Sequence, residues 1–192
     1  MECIGLENIE FGLKCEDQDN MGGITPSVIA FYWDQVATWP DLPAATADKS
    51  MTLEEAGEWN GDVVMKTGQK AVKIDFTEDT GLLNITDQGE KGGVSFNYEL
   101  NMVFAKMRQK IFGFENATKS RKMGFIVTDS NGVKYLMGDK YRGAVRESGD
   151  GSTTGTASAD RNQSSVKFTY PCPRKLIYTG DTEALLKETP SV

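Results

Sequence analysis

The chain has 192 residues, 28 acidic and 21 basic side chains, a formal net charge of −7 and no histidine. The absence of histidine excludes catalytic triads and metal sites that use imidazole. The acidic balance argues against a protein that grips nucleic acid by its phosphates, because such proteins need clustered lysine and arginine. Two interpretations of the charge stay open: it serves solubility alone, or it makes a surface past which DNA slides without sticking.

Three cysteines, Cys3, Cys15 and Cys172, are too few and too widely spaced for a disulfide framework or a four-ligand zinc site. We expect reduced thiols in a cytoplasmic compartment. No signal peptide is expected, because the first residues lack a basic region followed by an apolar stretch. No apolar run reaches the length of about 18 residues that a membrane span needs. Residues 1–192 are therefore predicted to form a single domain with its own core.

The first predicted strand lies at residues 28–33, after polar residues 1–27 that are predicted to form an N-terminal arm or a short first hairpin. The run at 28–33 is apolar and aromatic throughout, which predicts a strand buried on both faces. Residues 34–61 follow as a predicted assembly loop, because Pro40 and Pro43 lack backbone donors and fix φ. A short helical turn remains open at residues 49–61 of this loop, with Thr52 as its cap and Glu55 three residues on.

Alternation of apolar and polar residues predicts strands from residue 62 onward. The pattern is clearest over 94–102 and recurs at 70–76, 83–85 and 166–170, with a last short strand at 176–178. The glycine-rich stretch 88–93 predicts a turn. Over 104–114 the apolar period changes to that of a helix, which we expect to cover an open end or face of the sheet.

Asn131-Gly132 between two strand patterns predicts a tight type I′ hairpin. The Gly/Ser/Thr-rich stretch 148–158 predicts a long flexible loop. Residues 181–192 predict a polar C-terminal tail with a turn of helix at 183–187. The whole pattern indicates a mostly β fold, a barrel or a sandwich with one flanking helix and long loops.

No catalytic, cofactor-binding or metal-binding residues are predicted. The glycine-rich stretch 149–155 lacks the Gly-Lys-Ser/Thr ending of a phosphate loop. Residues 17–20 suggest calcium ligands, but an EF-hand loop requires a ligand and a glutamate where Met21 and Val28 stand. The acids at positions 54, 55 and 58 are interpreted as solvated, not as an acid/base pair.

Large aromatic and basic residues in predicted loops are the candidates for subunit contacts. Trp33, Trp39 and Trp59 are either core residues or interface anchors. Arg121 and Lys122 are expected to pair with acids at a surface or a subunit contact. The candidate assembly contacts are Trp39, Pro40, Trp59, Arg121, Lys122, Gly149 and Gly151.

An ordered series of motifs over residues 21–170 resembles tail tube proteins from tailed phages of Bacteroides-type bacteria. The motifs are Met21-Gly22-Gly23, residues 34–43 (Asp-Gln-Val-Ala-Thr-Trp-Pro-Asp-Leu-Pro), residues 61–68, residues 88–96, residues 126–132 with 135–138, and Gly155-Thr156-Ala157 with Asp160-Arg161-Asn162. None of them is a catalytic signature.

The resemblance implies a tail-tube-like β-barrel or sandwich with a flanking helix, which assembles with copies of itself into a hexameric or higher ring. It also implies a place in the virion tail, assembly in the bacterial cytoplasm, neighbouring tail or connector proteins and transient passage of DNA. Connector, terminator and short-tail ring proteins share such folds, so these roles stay open.

Two alternatives come from other classes of protein. A monomeric β-sandwich that binds carbohydrate or another surface would carry exposed aromatics on one sheet face. A hydrolase would need a pocket with two convergent carboxylates, which no spacing in the chain indicates.

Overall fold

The computed structural model describes residues 4–9, 20–45 and 50–187 and is mostly β, with 42% strand and 13% helix. The described residues form eleven strands and three α-helices. The strands are β1 (Ile24–Tyr32), β2 (Val36–Thr38), β3 (Val64–Met65), β4 (Val72–Asp75), β5 (Leu82–Gln88), β6 (Ser95–Ala105), β7 (Met123–Asp129), β8 (Lys134–Met137), β9 (Val145–Glu147), β10 (Ser152–Thr153) and β11 (Gln163–Cys172). The helices are α1 (Leu53–Ala56), α2 (Gln109–Thr118) and α3 (Thr182–Leu186).

The named strands pair antiparallel in three sheets. A four-stranded sheet has the order β4-β1-β7-β8, and a five-stranded sheet has the order β10-β11-β6-β5, with β9 also paired to β11. Strands β2 and β3 form a small third sheet. The longest ladder joins β6 to β11 over ten residue pairs, so these two strands form the centre of the five-stranded sheet.

One hydrophobic core joins the two larger sheets and α2. Phe125 on β7 and Phe168 on β11 have ring centres 4.7 Å apart, so side chains of the two sheets meet directly. Phe114 on α2 lies 6.2 Å from Phe168 and 6.3 Å from Phe104 on β6. The helix therefore closes part of the space between the sheets, as expected for the predicted helix.

The alternation at 94–102 is confirmed for its central members. Tyr98, Leu100 and Met102 are buried, while Glu99 and Asn101 between them are half-buried on the other face. The prediction of a first strand buried on both faces is also confirmed, since Ala30 and Phe31 are adjacent and both buried. Trp39 packs against Phe31, which points to the side of the four-stranded sheet away from Phe125, because the adjacent Ala30 pairs with Phe125.

The predicted helix at 104–114 begins too early. Phe104 and Ala105 belong to β6, and α2 starts at Gln109. The β6–β11 ladder continues through Ala105, and the Lys106 amide donates to the Asn162 carbonyl at 2.8 Å. Cross-strand hydrogen bonding therefore decides the structure of this segment. Phe104 fits the helical spacing of apolar residues, but an apolar residue at this position can also face the core from a strand.

The hairpin at Asn131-Gly132 forms, but its turn is not type I′. A type I′ turn needs positive φ at both residues, and only Gly132 has it, at 86°. The Gly132 amide donates to the Asp129 carbonyl at 3.1 Å, as in a three-residue loop with a bulge. The Asp129 carboxylate accepts from the Asn131 and Val133 amides at 2.9 and 2.8 Å and so stabilises this longer turn.

Other boundaries also differ from the prediction. The predicted arm 1–27 overlaps β1, which begins at Ile24, and the predicted loop 34–61 contains β2 and α1. The stretch 148–158 contains β10, so it is not a flexible loop throughout. Residues 176–178 form no strand, because Ile177 makes only an isolated bridge to Glu58. The helical turn in the tail is α3, whose Leu185 is buried in the core.

Some predictions lie outside the described residues. These concern Cys3, Cys15, most of the calcium-like stretch 17–20, and the end of the tail from residue 188. Cys172 is described as a free, buried cysteine, and burial raises the pKa of its thiol.

Replacing Phe168 by alanine should lower the free energy of unfolding by about 3–5 kcal/mol, because it removes the ring that contacts both Phe125 and Phe114. Urea denaturation followed by tryptophan fluorescence measures the change. Phe112→Ala is the matched control, since Phe112 lies on the exposed side of α2, and its effect should stay below about 1 kcal/mol. Equal effects of the two substitutions would contradict this account of the core.

Candidate assembly surface

Most edges of the two large sheets are covered or short. The Tyr178 amide donates to the Lys134 carbonyl at 2.8 Å, beside the outer edge of β8. On the other side of the five-stranded sheet, β9 and β10 both lie against β11, and Pro171 stands beyond β9 without an amide donor. Strand β4 has only four residues and carries Lys73 and Asp75. Short strands, charges and proline are the usual means by which proteins prevent pairing at sheet edges.

Strand β5 is the long exception. The Thr77 amide donates to the Val103 carbonyl at 2.9 Å, on the side of β6 where β5 lies. This hydrogen bond shows which backbone groups of β6 point toward β5. Because carbonyls alternate along a strand, Asn101 and Glu99 also face β5, where they pair with Leu82 and Asn84. The N–H and C=O groups of the intervening β5 residues therefore point outward.

The outward backbone groups of β5 are those of Leu83, Ile85 and Asp87. Within the described part of the chain, none of their amides or carbonyls makes a backbone hydrogen bond on that side. The strand contains no proline or lysine, and its one charge, Asp87, forms an exposed ion pair with Lys175 at 2.8 Å. A seven-residue edge without protection is suited to pairing with another strand.

The outer face of the five-stranded sheet is polar and almost uncharged. Lys167 at its centre lies 3.1 Å from Glu99 and 3.7 Å from Glu147, and its hydrogen bond to Glu99 raises the pKa of the ammonium group. The cation is therefore neutralised by its neighbours. The other residues of this face in β5 and β6 are neutral: Leu82, Asn84, Thr86, Gln88, Ser95, Asn97, Asn101, Val103 and Ala105.

Two of the three tryptophan and proline candidates are buried within the subunit. Trp59 is 3% exposed and Pro40 is also buried. Trp39 is half-buried and packs against Phe31 and Trp33, with ring centres 5.8 and 6.5 Å away. As contacts between subunits these residues stay a prediction, and within the subunit Trp39 packs against Phe31 of the four-stranded sheet.

The basic and glycine candidates lie at the surface. Arg121 forms an ion pair with Asp34 at 3.0 Å, which agrees with the expectation that this cluster pairs with an acid. Lys122 is exposed beside Trp33. Gly149 is exposed next to Lys167, and the Gly151 carbonyl accepts from the Ser165 amide at 2.9 Å. Both glycines therefore border β11, on the side of the sheet away from β5.

Glu55 and Glu58, two of the three acids predicted to be solvated, line an open cleft of about 670 Å³ between α1 and the segment before α3. Glu55 completes a capping box with Thr52, and Glu58 accepts a hydrogen bond from the Thr179 hydroxyl at 2.5 Å. Among residues 4–9, 20–45 and 50–187, no group of three or more cysteine, aspartate or glutamate side chains is placed to hold a metal ion. No helix in that part of the chain is long and apolar enough to cross a membrane.

Sequence reasoning did not single out the outward groups of β5. Its alternation signalled a strand, and the absence of lysine and proline was visible in the sequence. Which strand ends a sheet, however, depends on the order of pairing, which no local pattern contains.

Comparison of the chain with protein-family models, curated proteins and solved structures finds no match. The fold defines a mostly β protein whose named strands pair antiparallel in three sheets. Its distinguishing surface is the unprotected edge at β5.

The amide protons of Leu83, Ile85 and Asp87 should exchange with solvent at least about tenfold faster than those of Asn84 and Thr86 in the monomer, because only the latter face β6. Hydrogen exchange followed by NMR measures the rates. Uniform rates along β5 would mean that its outer edge is covered.

Proposed function

We propose that this chain is a non-enzymatic virion structural protein that assembles with copies of itself into a ring of a phage tail tube or of a related tail or connector structure. The observation that carries the proposal is the open seven-residue edge of β5. The finer description of the fold as a tail-tube-like barrel or sandwich with a flanking helix belongs to the same proposal.

Pairing of β5 with a neighbouring subunit satisfies its outward backbone groups. Each such pairing exchanges main-chain hydrogen bonds with water for bonds within the assembly, while Leu82 and Val94, which are more than half exposed, become covered. A contact between β5 and a different surface of the next copy is heterologous, and it closes into a ring when the rotation between copies allows. A permanent interface of this kind buries on the order of 2,000 Å² or more.

The polar outer face of the five-stranded sheet suits the wall of a DNA passage. A phosphate backbone is held by unpaired cations, and the lysine at the centre of this face is paired with Glu99 and Glu147. The remaining neutral side chains offer no fixed positive charge. DNA would therefore pass this surface without being retained.

The proposed location is the tail of the virion, with assembly in the cytoplasm of the bacterial host. The partners are sister subunits in a hexameric or higher ring, adjoining tail or connector proteins, and DNA in transient, non-specific passage. No cofactor, metal or membrane takes part in this function.

The second candidate is a monomeric β-sandwich module that binds carbohydrate or another surface. Such a module would present aromatic rings on one sheet face. The outer face of β5, β6 and β11 carries no aromatic side chain, because Tyr98, Phe168 and Tyr170 all point inward and are buried. This observation favours the structural role.

Asp87→Pro should leave the monomer folded and reduce assembly at least tenfold, because it removes one outward amide while the β5–β6 ladder keeps its bonds at Thr86 and Gln88. Light scattering after size exclusion, with negative-stain electron microscopy, measures assembly over a concentration series.

Asp87→Ala is the matched control for that experiment, because it removes the same carboxylate and its ion pair with Lys175 but keeps the amide. It should assemble like the wild type. A wild-type chain that remains monomeric at high concentration would reject the structural role in favour of the binding module. Equal assembly of the proline and alanine variants would reject β5 as the contact.

A further inference from the structure

The N-terminal segment 4–9 is attached to its own subunit by few contacts. The Gly5 amide donates to the Met51 carbonyl at 2.9 Å, and Ile4 forms an isolated bridge with Met51. Within the part of the chain that the structure describes, residues 6–9 make no backbone hydrogen bond. Few interactions therefore have to be broken to free this segment from its subunit.

Two apolar side chains of the segment are almost fully exposed. Leu6 is 90% exposed and Ile9 is 88% exposed, the highest values among the large hydrophobic side chains that the structure describes. Removing such side chains from water is favourable, because the gain follows the apolar area that is buried. Since the subunit does not bury them, a contact with another molecule can supply this gain.

The open edge of β5 lacks the partner that an extended segment provides. The outward backbone groups of Leu83, Ile85 and Asp87 find no backbone partner among the described residues. The side chains of Leu83 and Ile85 pack against the core but stay only half-buried at this margin of the sheet. A strand added beside β5 would bond to these backbone groups and pack its own side chains next to Leu83 and Ile85.

Segment 4–9 fits this edge in length and in pattern. Its six residues extend over about 17 Å, and the outward groups of β5 span about 13 Å. Ile4 and Leu6 are two residues apart, so they share one face of an extended strand, as Leu83 and Ile85 do. The segment contains no proline, so each of its residues can donate a backbone amide to the edge.

The chain before β1 is anchored far enough along the sequence to let the segment reach a neighbour. The Asn131 side chain donates to the Asn20 side-chain oxygen and to the Met21 carbonyl, both at 3.1 Å, and accepts from the Met21 amide at 2.8 Å. Eleven residue steps separate Ile9 from this anchor at Asn20. They reach at most about 36–40 Å, whereas a compact chain of this length has a radius of gyration of ~16 Å.

We infer that segment 4–9 of one copy of this chain adds as a strand to the β5 edge of the next copy. The two surfaces differ, so each copy gives a segment on one side and receives one on the other, and the contact can repeat around a ring. The inference rests on the proposed function and identifies which part of the sister subunit occupies the open edge.

A charge within the segment tests the contact. Leu6→Asp should leave the monomer folded, because Leu6 makes almost no contact in its own subunit, and should lower ring assembly at least tenfold, because the contact would bury the new carboxylate. Met21→Asp is the matched control, since it places the same charge on an exposed apolar residue outside the segment, and it should assemble like the wild type. Light scattering after size exclusion measures assembly.

A peptide added to the full-length Leu6→Asp chain tests where the segment binds. The peptide comprises residues 4–14, which include the segment and no cysteine. At saturation it should slow hydrogen exchange of the Leu83, Ile85 and Asp87 amides at least about tenfold, because these amides gain acceptors. The same peptide with Leu6→Asp should leave their rates unchanged. Hydrogen exchange followed by NMR on the labelled chain measures the rates.

The outcomes separate this contact from the proposed function. A Leu6→Asp chain that forms rings like the wild type would overturn the contact and leave the proposed function in place. A peptide that leaves the three β5 amides unprotected would also overturn it, and so would a wild-type monomer in which the segment already protects its own β5. A wild-type chain that forms no ring at any concentration would reject the proposed function and the contact with it.

Discussion

The ladder between β6 and β11 is the interaction on which the rest of the structure depends. Its ten residue pairs run from Ala105–Gln163 to Phe96–Cys172, and its inner face supplies Phe104, Phe168 and their buried neighbours. Phe168 is the side chain at which the second sheet and α2 both meet this ladder. Because the ladder occupies the centre of the five-stranded sheet, it also places β5 on one margin and β9 and β10 on the other.

An asymmetry between these margins follows. On the β11 side, two short strands share one edge and a proline stands beyond them. On the β5 side, an uninterrupted edge ends the sheet, and its outward groups find no backbone partner among the described residues. A protein that worked alone would be expected to protect such an edge, because it invites uncontrolled pairing. The lack of protection is therefore the physical basis for interpreting the chain as one component of an assembly.

The charges are segregated in a way that fits the same interpretation. The outer face of the five-stranded sheet holds its central lysine between two carboxylates, whereas Lys122 lies beside Trp33 and several acids line the cleft at Trp59. The net charge of −7 conceals this separation.

The sequence by itself determined the elements whose signal is local. The alternation around Leu100 and Phe168, the buried run of β1, the capping box at Thr52 and the helical period around Phe114 each depend on neighbours a few residues away. Tertiary structure decided which pairings prevail. Phe104 lies in a strand because it pairs with Ser164 of β11. Ile177 forms an isolated bridge to Glu58 and not the predicted last strand.

The surface that matters most for function was decided in the same way. Whether a strand is central or marginal depends on which strands pair beside it, and whether a charge is neutralised depends on what the fold brings to within about 4 Å of it. Sequence reasoning could therefore predict a strand at β5 and a basic cluster at Arg121. Only the folded chain left the edge of that strand open, paired Arg121 with Asp34, and gathered Glu58, Asp62 and Asp181 from distant positions into one cleft.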